Sequence, residues 1–173
     1  MKKIFILNGS GGVGKDTFVY CVKDYINRTK GKYVEHISSI TEVKAKARHL
    51  GWDGVKDDKG RKLLSDIKLA MTLYNDAPFK SIQKGVENFM NTPYQGVMFI
   101  DIREPEEIER AKKEFGAKTV LITSTRVDQV KTNMADAGVH EYQYDVVIEN
   151  NGTLEDLFDS AITFSKEFIF DEE

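Results

Sequence analysis

With a single cysteine, Cys21, the 173-residue chain can form neither an internal disulfide nor a zinc site built on several thiolates, and it suits the reducing cytoplasm. Only three prolines occur and no stretch is of low complexity, which excludes proline-rich linkers and repetitive tails. No apolar run approaches the roughly 20 residues that a bilayer-spanning helix requires. Met1-Lys2-Lys3 begins as a secretion signal does, but the apolar run behind it is cut at Asn8 after four residues. The 25 basic and 28 acidic residues leave a formal net charge of -3, too balanced to draw the chain to a nucleic-acid polymer or a membrane. His36 and His49 show no ligand spacing and are assigned no chemistry. A single domain over 1–173 is expected, as a monomer or a homodimer.

What the chain does have is a series of short, continuously apolar runs ended by turn residues, the mark of strands buried on both faces. Ile4 to Leu7, Gly96 to Asp101, Thr119 to Thr123 and Asp145 to Ile148 give four such strands, and Tyr33 to Ile37, interrupted by Glu35 and His36, is a candidate for a fifth. Apolar residues at helical spacing lie between them: Phe18, Cys21, Val22 and Tyr25, then Leu63, Ile67, Ala70 and Tyr74, then Phe79, Ile82, Val86 and Phe89 beyond a turn at 75–78. Pro105, with Glu106 and Glu107 in the first turn, opens a helix that Lys112, Lys113 and Gly116 close. A last helix begins at Thr153, whose hydroxyl caps it while Asp156 answers three positions on. Strands alternating with helices from end to end predict a three-layer α/β fold with a parallel sheet.

Three stretches carry chemistry. Gly9-Ser10-Gly11-Gly12-Val13-Gly14-Lys15 follows the first strand and opens the first helix, the context in which this spacing reads as a phosphate-binding loop. The backbone N–H groups of Gly11, Gly12, Val13, Gly14 and Lys15 can converge on an anion at a helix N-terminus, and Lys15 adds a point charge for the β- and γ-phosphates of ATP. Asp16 stands where such loops usually carry a hydroxyl for Mg²⁺. It reads equally as an acid favoured by the helix dipole and as a carboxylate that holds the ion through water, while Thr17 offers the hydroxyl one position later. The second stretch is Asp101-Ile102-Arg103 at a strand's carboxyl end, where a parallel sheet opens its ligand crevice. Asp101 is a candidate to orient Mg²⁺ and Arg103 to grip a phosphate, although a strand-end ion pair explains the same residues. The third runs from His140-Glu141 through Tyr144 and Asp145 to Asn150-Asn151-Gly152-Thr153-Leu154, which taken alone is a turn before a helix.

Together these motifs resemble P-loop nucleotide kinases. Gly-Lys-Asp-Thr, the Asp-x-Arg strand end and the Asn-x-Gly-Thr-Leu segment are similar to phage-type deoxynucleoside monophosphate kinases and, more distantly, to animal-type phosphomevalonate kinases. The resemblance covers both ends of the chain well and the middle weakly. It implies the P-loop NTPase fold with a five-stranded parallel sheet, a helical acceptor-binding insert over about 41–92 and a short lid over about 124–143. It implies ATP and Mg²⁺ as cofactors, with Thr17, Asp16 and Asp101 at the metal and Asn150 and Gly152 beside the adenine. Arg126 and Lys131 are the lid's cations, fewer than such lids often carry. Arg61 is implied for the acceptor phosphate, with Arg103, and Trp52 for stacking a base. The expected reaction moves the ATP γ-phosphoryl group to a (deoxy)nucleoside monophosphate, with Lys15, Asp101, Arg103 and Arg126 catalytic. Another small phosphate such as phosphomevalonate, or nucleotide binding without catalysis, are the alternatives.

Overall fold

The apolar runs pair side by side. The computed structural model describes residues 1–127 and 142–170. Strands β1 (Lys2–Asn8), β2 (Tyr33–Ser38), β3 (Gly96–Asp101), β4 (Lys118–Thr123) and β5 (Val146–Glu149) form one parallel sheet in the order β2-β3-β1-β4-β5. Each lies within one or two residues of its expected span. Connections from β1 to β2 and from β3 to β4 leave in opposite directions, so a topological switch point falls at the centre of the sheet. The β1–β3 register sets Phe5 level with Phe99 and Leu7 level with Asp101, which brings the end of β1 and Asp101 to the same edge.

Alternation along the strands divides the core into two faces. Phe5, Leu7, Val97, Phe99, Val120 and Ile122 share one cluster with Phe18, Val22 and Ile26 of α1 (Lys15–Thr29) and with Leu157, Ala161 and Phe164 of the last helix. The Phe164 ring meets Phe5 edge-on at 4.9 Å and Phe18 at 5.4 Å, contacts that add to the area each ring buries. On the other face Ile4, Ile6, Met98 and Ile100 are buried, and α5 (Pro105–Phe115) packs against β1 and β4 through Ile108 and Ala111. The last helix, α6 (Leu154–Phe164), starts with the expected capping box: Asp156 N–H donates to Thr153 Oγ1 and Thr153 N–H to the Asp156 carboxylate. A π-helical turn, Ser165–Ile169, follows it.

By internal contacts the chain divides into two compact units, 1–36 with 92–173, and 37–91. Beyond the end of β2 the second is mainly helical: α2 (Thr41–His49), α3 (Asp58–Asn75) and α4 (Ala77–Asn91) pack on one another. Val43, Ala47 and Leu64 form one buried cluster, with Trp52, Leu63, Ile67 and Met71 packed around them, and α4 buries Phe79, Ile82, Val86 and Phe89. Asp57 caps α3 by accepting from Gly60 N–H at 2.7 Å, and Asp76, in the left-handed region at φ 58°, ends it where the turn was expected. No helix among the described residues is long and apolar enough to cross a membrane.

Candidate active site

The phosphate loop owes its path to two close approaches. Gly9 has φ 143°, and a Cβ there would lie 2.3 Å from the Ile122 carbonyl oxygen; Gly14 has φ 98°, and a Cβ would lie 2.5 Å from Asn150 Nδ2. Only glycine fits either position. Asn150 Nδ2 instead donates to the Val13 carbonyl at 2.9 Å, so the residue expected beside the adenine also braces the loop. Lys15 sits in the first turn of α1, and its Nζ donates to the Gly9 and Ser10 carbonyls at 2.6 and 3.2 Å. Gly11, Gly12 and Val13 complete the loop, Val13 with its side chain in the core.

Asn8, which the sequence presents as the break ending an apolar run, is the last residue of β1 and wholly buried. Its amide is satisfied in three directions, which is what lets a polar side chain stay at a strand end. Nδ2 donates to the Arg103 carbonyl at 3.1 Å and to the Tyr144 hydroxyl at 2.7 Å, and Oδ1 accepts the Gly9 N–H at 2.7 Å. This side chain ties the start of the loop, the Asp-x-Arg segment and the chain entering β5. Burial pushes the Tyr144 hydroxyl pKa up to about 12, so it stays protonated.

Sequence spacing gives His36 no role, but the structure places it beside Asp101. It lies near the carboxyl end of β2, with Nε2 3.2 Å from Asp101 Oδ2. The hydrogen bond that His36 Nε2–H donates to the Asp101 carboxylate holds the imidazole above its ordinary pKa, against the opposing effect of desolvation. Asp16 joins them: one ligand atom from each of Asp16, His36 and Asp101 can be chosen such that all lie within 4.8 Å of one another. Asp101 Oδ1 is buried and has no hydrogen-bond partner among the described residues. An orphaned carboxylate oxygen costs about 1–3 kcal/mol or more, and a cation would relieve it. The residues present therefore fit a divalent ion.

Thr17 faces elsewhere. It lines a cavity of about 210 Å³ with Arg126, Asn150, Gly152, Thr153, Leu154 and Leu157. Arg126 donates through one guanidinium nitrogen to the Asn150 carbonyl at 3.0 Å and to Asn150 Oδ1 at 3.1 Å. Ser124 Oγ donates to the same carbonyl at 2.7 Å, and Thr125 N–H to Asn151 Oδ1. Loop, cavity and the start of α6 are thus laced together. Of the expected lid, Lys131, His140 and Glu141 lie outside the described residues.

Trp52 and Arg61 belong to the helical unit. The indole N–H of Trp52 donates to the Val55 carbonyl at 2.9 Å, and the Arg48 guanidinium lies over its ring at 5.6 Å. Arg61 Nε donates to the Lys56 carbonyl at 2.9 Å. Asn8 and His36 are the residues that sequence reasoning missed. The signal available for both was position: each stands at the carboxyl end of a strand, as Asp101 does.

No known family's sequence profile matches the chain, and no curated protein sequence matches it. Among solved structures its fold is similar to a sugar kinase from Janibacter sp., at TM-score 0.59 and 10% identity over 96% of this chain and 95% of that one. A thymidylate kinase from Ehrlichia chaffeensis, at TM-score 0.49 and 11% identity over 94% and 97%, and a shikimate kinase from Aquifex aeolicus, at 0.48 and 11% over 94% and 96%, align too loosely to weigh. The chain has the fold of a P-loop kinase.

Proposed function

We propose that the chain is an ATP-dependent phosphotransferase whose acceptor already bears a phosphate, a (deoxy)nucleoside monophosphate first. The observation that carries this reading is the meeting of the Lys15 loop with the Asp16, His36 and Asp101 cluster at the carboxyl edge of the sheet. The kinase fold supports it, and the sugar kinase neighbour supports phosphoryl transfer as the class of reaction.

In this reading the loop N–H groups and Lys15 hold the polyphosphate, and Arg103 holds the acceptor phosphate with its planar fork. Asn8 keeps loop and Arg103 backbone in register through its bonds to Gly9 and Arg103. Asn150, Gly152 and Arg126 border the cavity proposed for the adenine. Asp16 and Asp101 are the carboxylates proposed for Mg²⁺, which when bound supplies charge neutralisation at phosphate oxygens. Thr17, lining the cavity, is the weaker metal candidate. An acceptor phosphate has a second pKa of about 6 and is anionic near neutrality, so no side chain has to remove a proton. Positioning and charge do the catalysis. Trp52 and Arg61 are retained as the proposed acceptor contacts of the helical unit, and a cytoplasmic monomer or homodimer as the working state.

The test is ATP consumption by the full chain with a panel of deoxynucleoside monophosphates, ribonucleoside monophosphates and phosphomevalonate, alongside Lys15→Ala. The expected result is turnover with a deoxynucleotide, lost by roughly a hundredfold or more in Lys15→Ala. Turnover only with phosphomevalonate replaces the acceptor. No turnover with any acceptor, but retained ATP binding, leaves a nucleotide-binding module.

A further inference from the structure

We propose that His36 is a metal ligand beside Asp16 and Asp101, making a site of one imidazole and two carboxylates that prefers Mn²⁺ to Mg²⁺. The inference rests on the phosphotransfer reading for the ion's use, but not for its binding.

Three observations carry it. First, the donors converge from three separate elements: Asp16 from the first turn of α1, His36 from β2 and Asp101 from the end of β3. Secondly, the spacing suits an ion. Ligands about 2.1 Å from a common centre stand about 3.0 Å apart when adjacent and about 4.2 Å when opposite. His36 Nε2 and Asp101 Oδ2 are already 3.2 Å apart, and no pair exceeds 4.8 Å, so a pair set opposite one another needs to close by at most about 0.6 Å. Side-chain rotation of exposed Asp16 and His36 provides that. Thirdly, His36 alone leaves Asp101 unsatisfied, because Oδ2 faces the imidazole while Oδ1 is buried without a partner among the described residues. A cation uses both the imidazole and the carboxylate.

The donor set decides which cation. Mg²⁺ takes oxygen ligands and keeps much of its water, so a nitrogen contributes little to it. First-row divalent ions accept imidazole and carboxylate together, and they bind a nitrogen-containing site more tightly. Two carboxylates also balance the dipositive ion, with the nearby Lys15 ammonium opposing it.

The experiment uses Mn²⁺ alone with the full chain and no nucleotide, read by electron spin-echo modulation and by titration calorimetry. The expected result is nitrogen modulation in the wild-type spectrum, shifted by ¹⁵N-histidine labelling. Loss of that modulation in His36→Gln should accompany Mn²⁺ binding weakened tenfold or more, with Mg²⁺ binding changed less than threefold. No Mn²⁺ binding, Mn²⁺ bound without nitrogen modulation, or modulation that survives His36→Gln overturns the proposal. If His36→Gln does not fold, the wild-type spectrum with Asp101→Asn decides: modulation lost there supports the shared site, and modulation retained refutes it. ATP turnover is measured separately. Nitrogen-bound Mn²⁺ without turnover keeps this inference and removes the phosphotransfer reading; turnover without nitrogen-bound metal does the reverse.

Discussion

In the unit built on the sheet, Phe5, Phe18 and Phe99 are at most 1% exposed, whereas the helical unit leaves Leu73 78% and Tyr74 87% exposed on α3. The first unit is held by packing on both faces of its strands. The second buries Phe79, Ile82, Val86 and Phe89 of α4, but its α3 leans on local devices: the Asp57 cap, the Lys62–Asp66 pair at 2.8 Å and Gly60, where a Cβ would lie 2.1 Å from the Val55 carbonyl oxygen. Adjoining stretches of one chain can thus be fixed by different means. Where packing dominates, a deleted side chain leaves a cavity; where caps and short-range bonds dominate, an exposed apolar side chain can be removed at little cost.

The sharpest way to break this contrast is a pair of truncations. Phe99→Ala should destabilise the chain by about 3–5 kcal/mol, and Leu73→Ala by less than about 0.5 kcal/mol, both read from urea midpoints. A large loss at Leu73 would show that α3 is covered in solution. Next comes one arginine from each unit. Arg103→Lys and Arg61→Lys should each raise the acceptor KM or lower kcat by roughly tenfold, about 1.4 kcal/mol, with ATP affinity nearly intact, because lysine cannot copy the two-pronged contact. Steady-state kinetics in which only Arg103 matters would confine the acceptor site to the sheet unit.

A smaller effect than those of the two arginines is expected at Asp145. Burial raises its pKa, but donation from the Thr119 N–H, Lys112 and the Thr119 hydroxyl outweighs that and holds it below the ordinary carboxylate value. A lowered folded pKa contributes stability above the unfolded value of about 3.9, and that contribution is lost as pH falls through the folded value. Asp145→Asn should therefore cost less than about 1 kcal/mol at neutral pH, the side chain being 35% exposed, and progressively less in acid. A difference between wild type and variant that is constant with pH in urea titrations would sink this account.

The sheet was legible because burial on both faces writes itself into short stretches as unbroken apolar runs, as at Ile4 to Leu7 and Val97 to Ile100. The start of α6 was legible because its capping box spans four consecutive residues. Gly9, Gly14 and Lys15 were legible because one strand, one turn and one helix carry the loop. His36 was not, because its meaning comes from Asp101, 65 positions away, through strand order and register. Asn8 read as an interruption since nothing nearby in the chain announces that Arg103 and Tyr144 will satisfy it. Asp16 reads two ways in the sequence, and only the fold sets His36 and Asp101 beside it.

The three bonds of Asn8 also bear on how the protein ages. Asparagine before glycine is the pair most prone to lose its side-chain amide, because the glycine nitrogen can turn onto the side-chain carbonyl carbon to close a cyclic imide. The chain has two such pairs, Asn8-Gly9 and Asn151-Gly152. In the first, the side chain is buried with both amide hydrogens and its oxygen engaged, so it cannot swing into the geometry that closure requires. In the second, the residues are exposed and, among the described residues, the side-chain oxygen is held by Thr125 alone. Chemical wear of stored, folded protein therefore begins at the rim of the cavity, while the root of the phosphate loop keeps its amide for as long as the sheet stays closed.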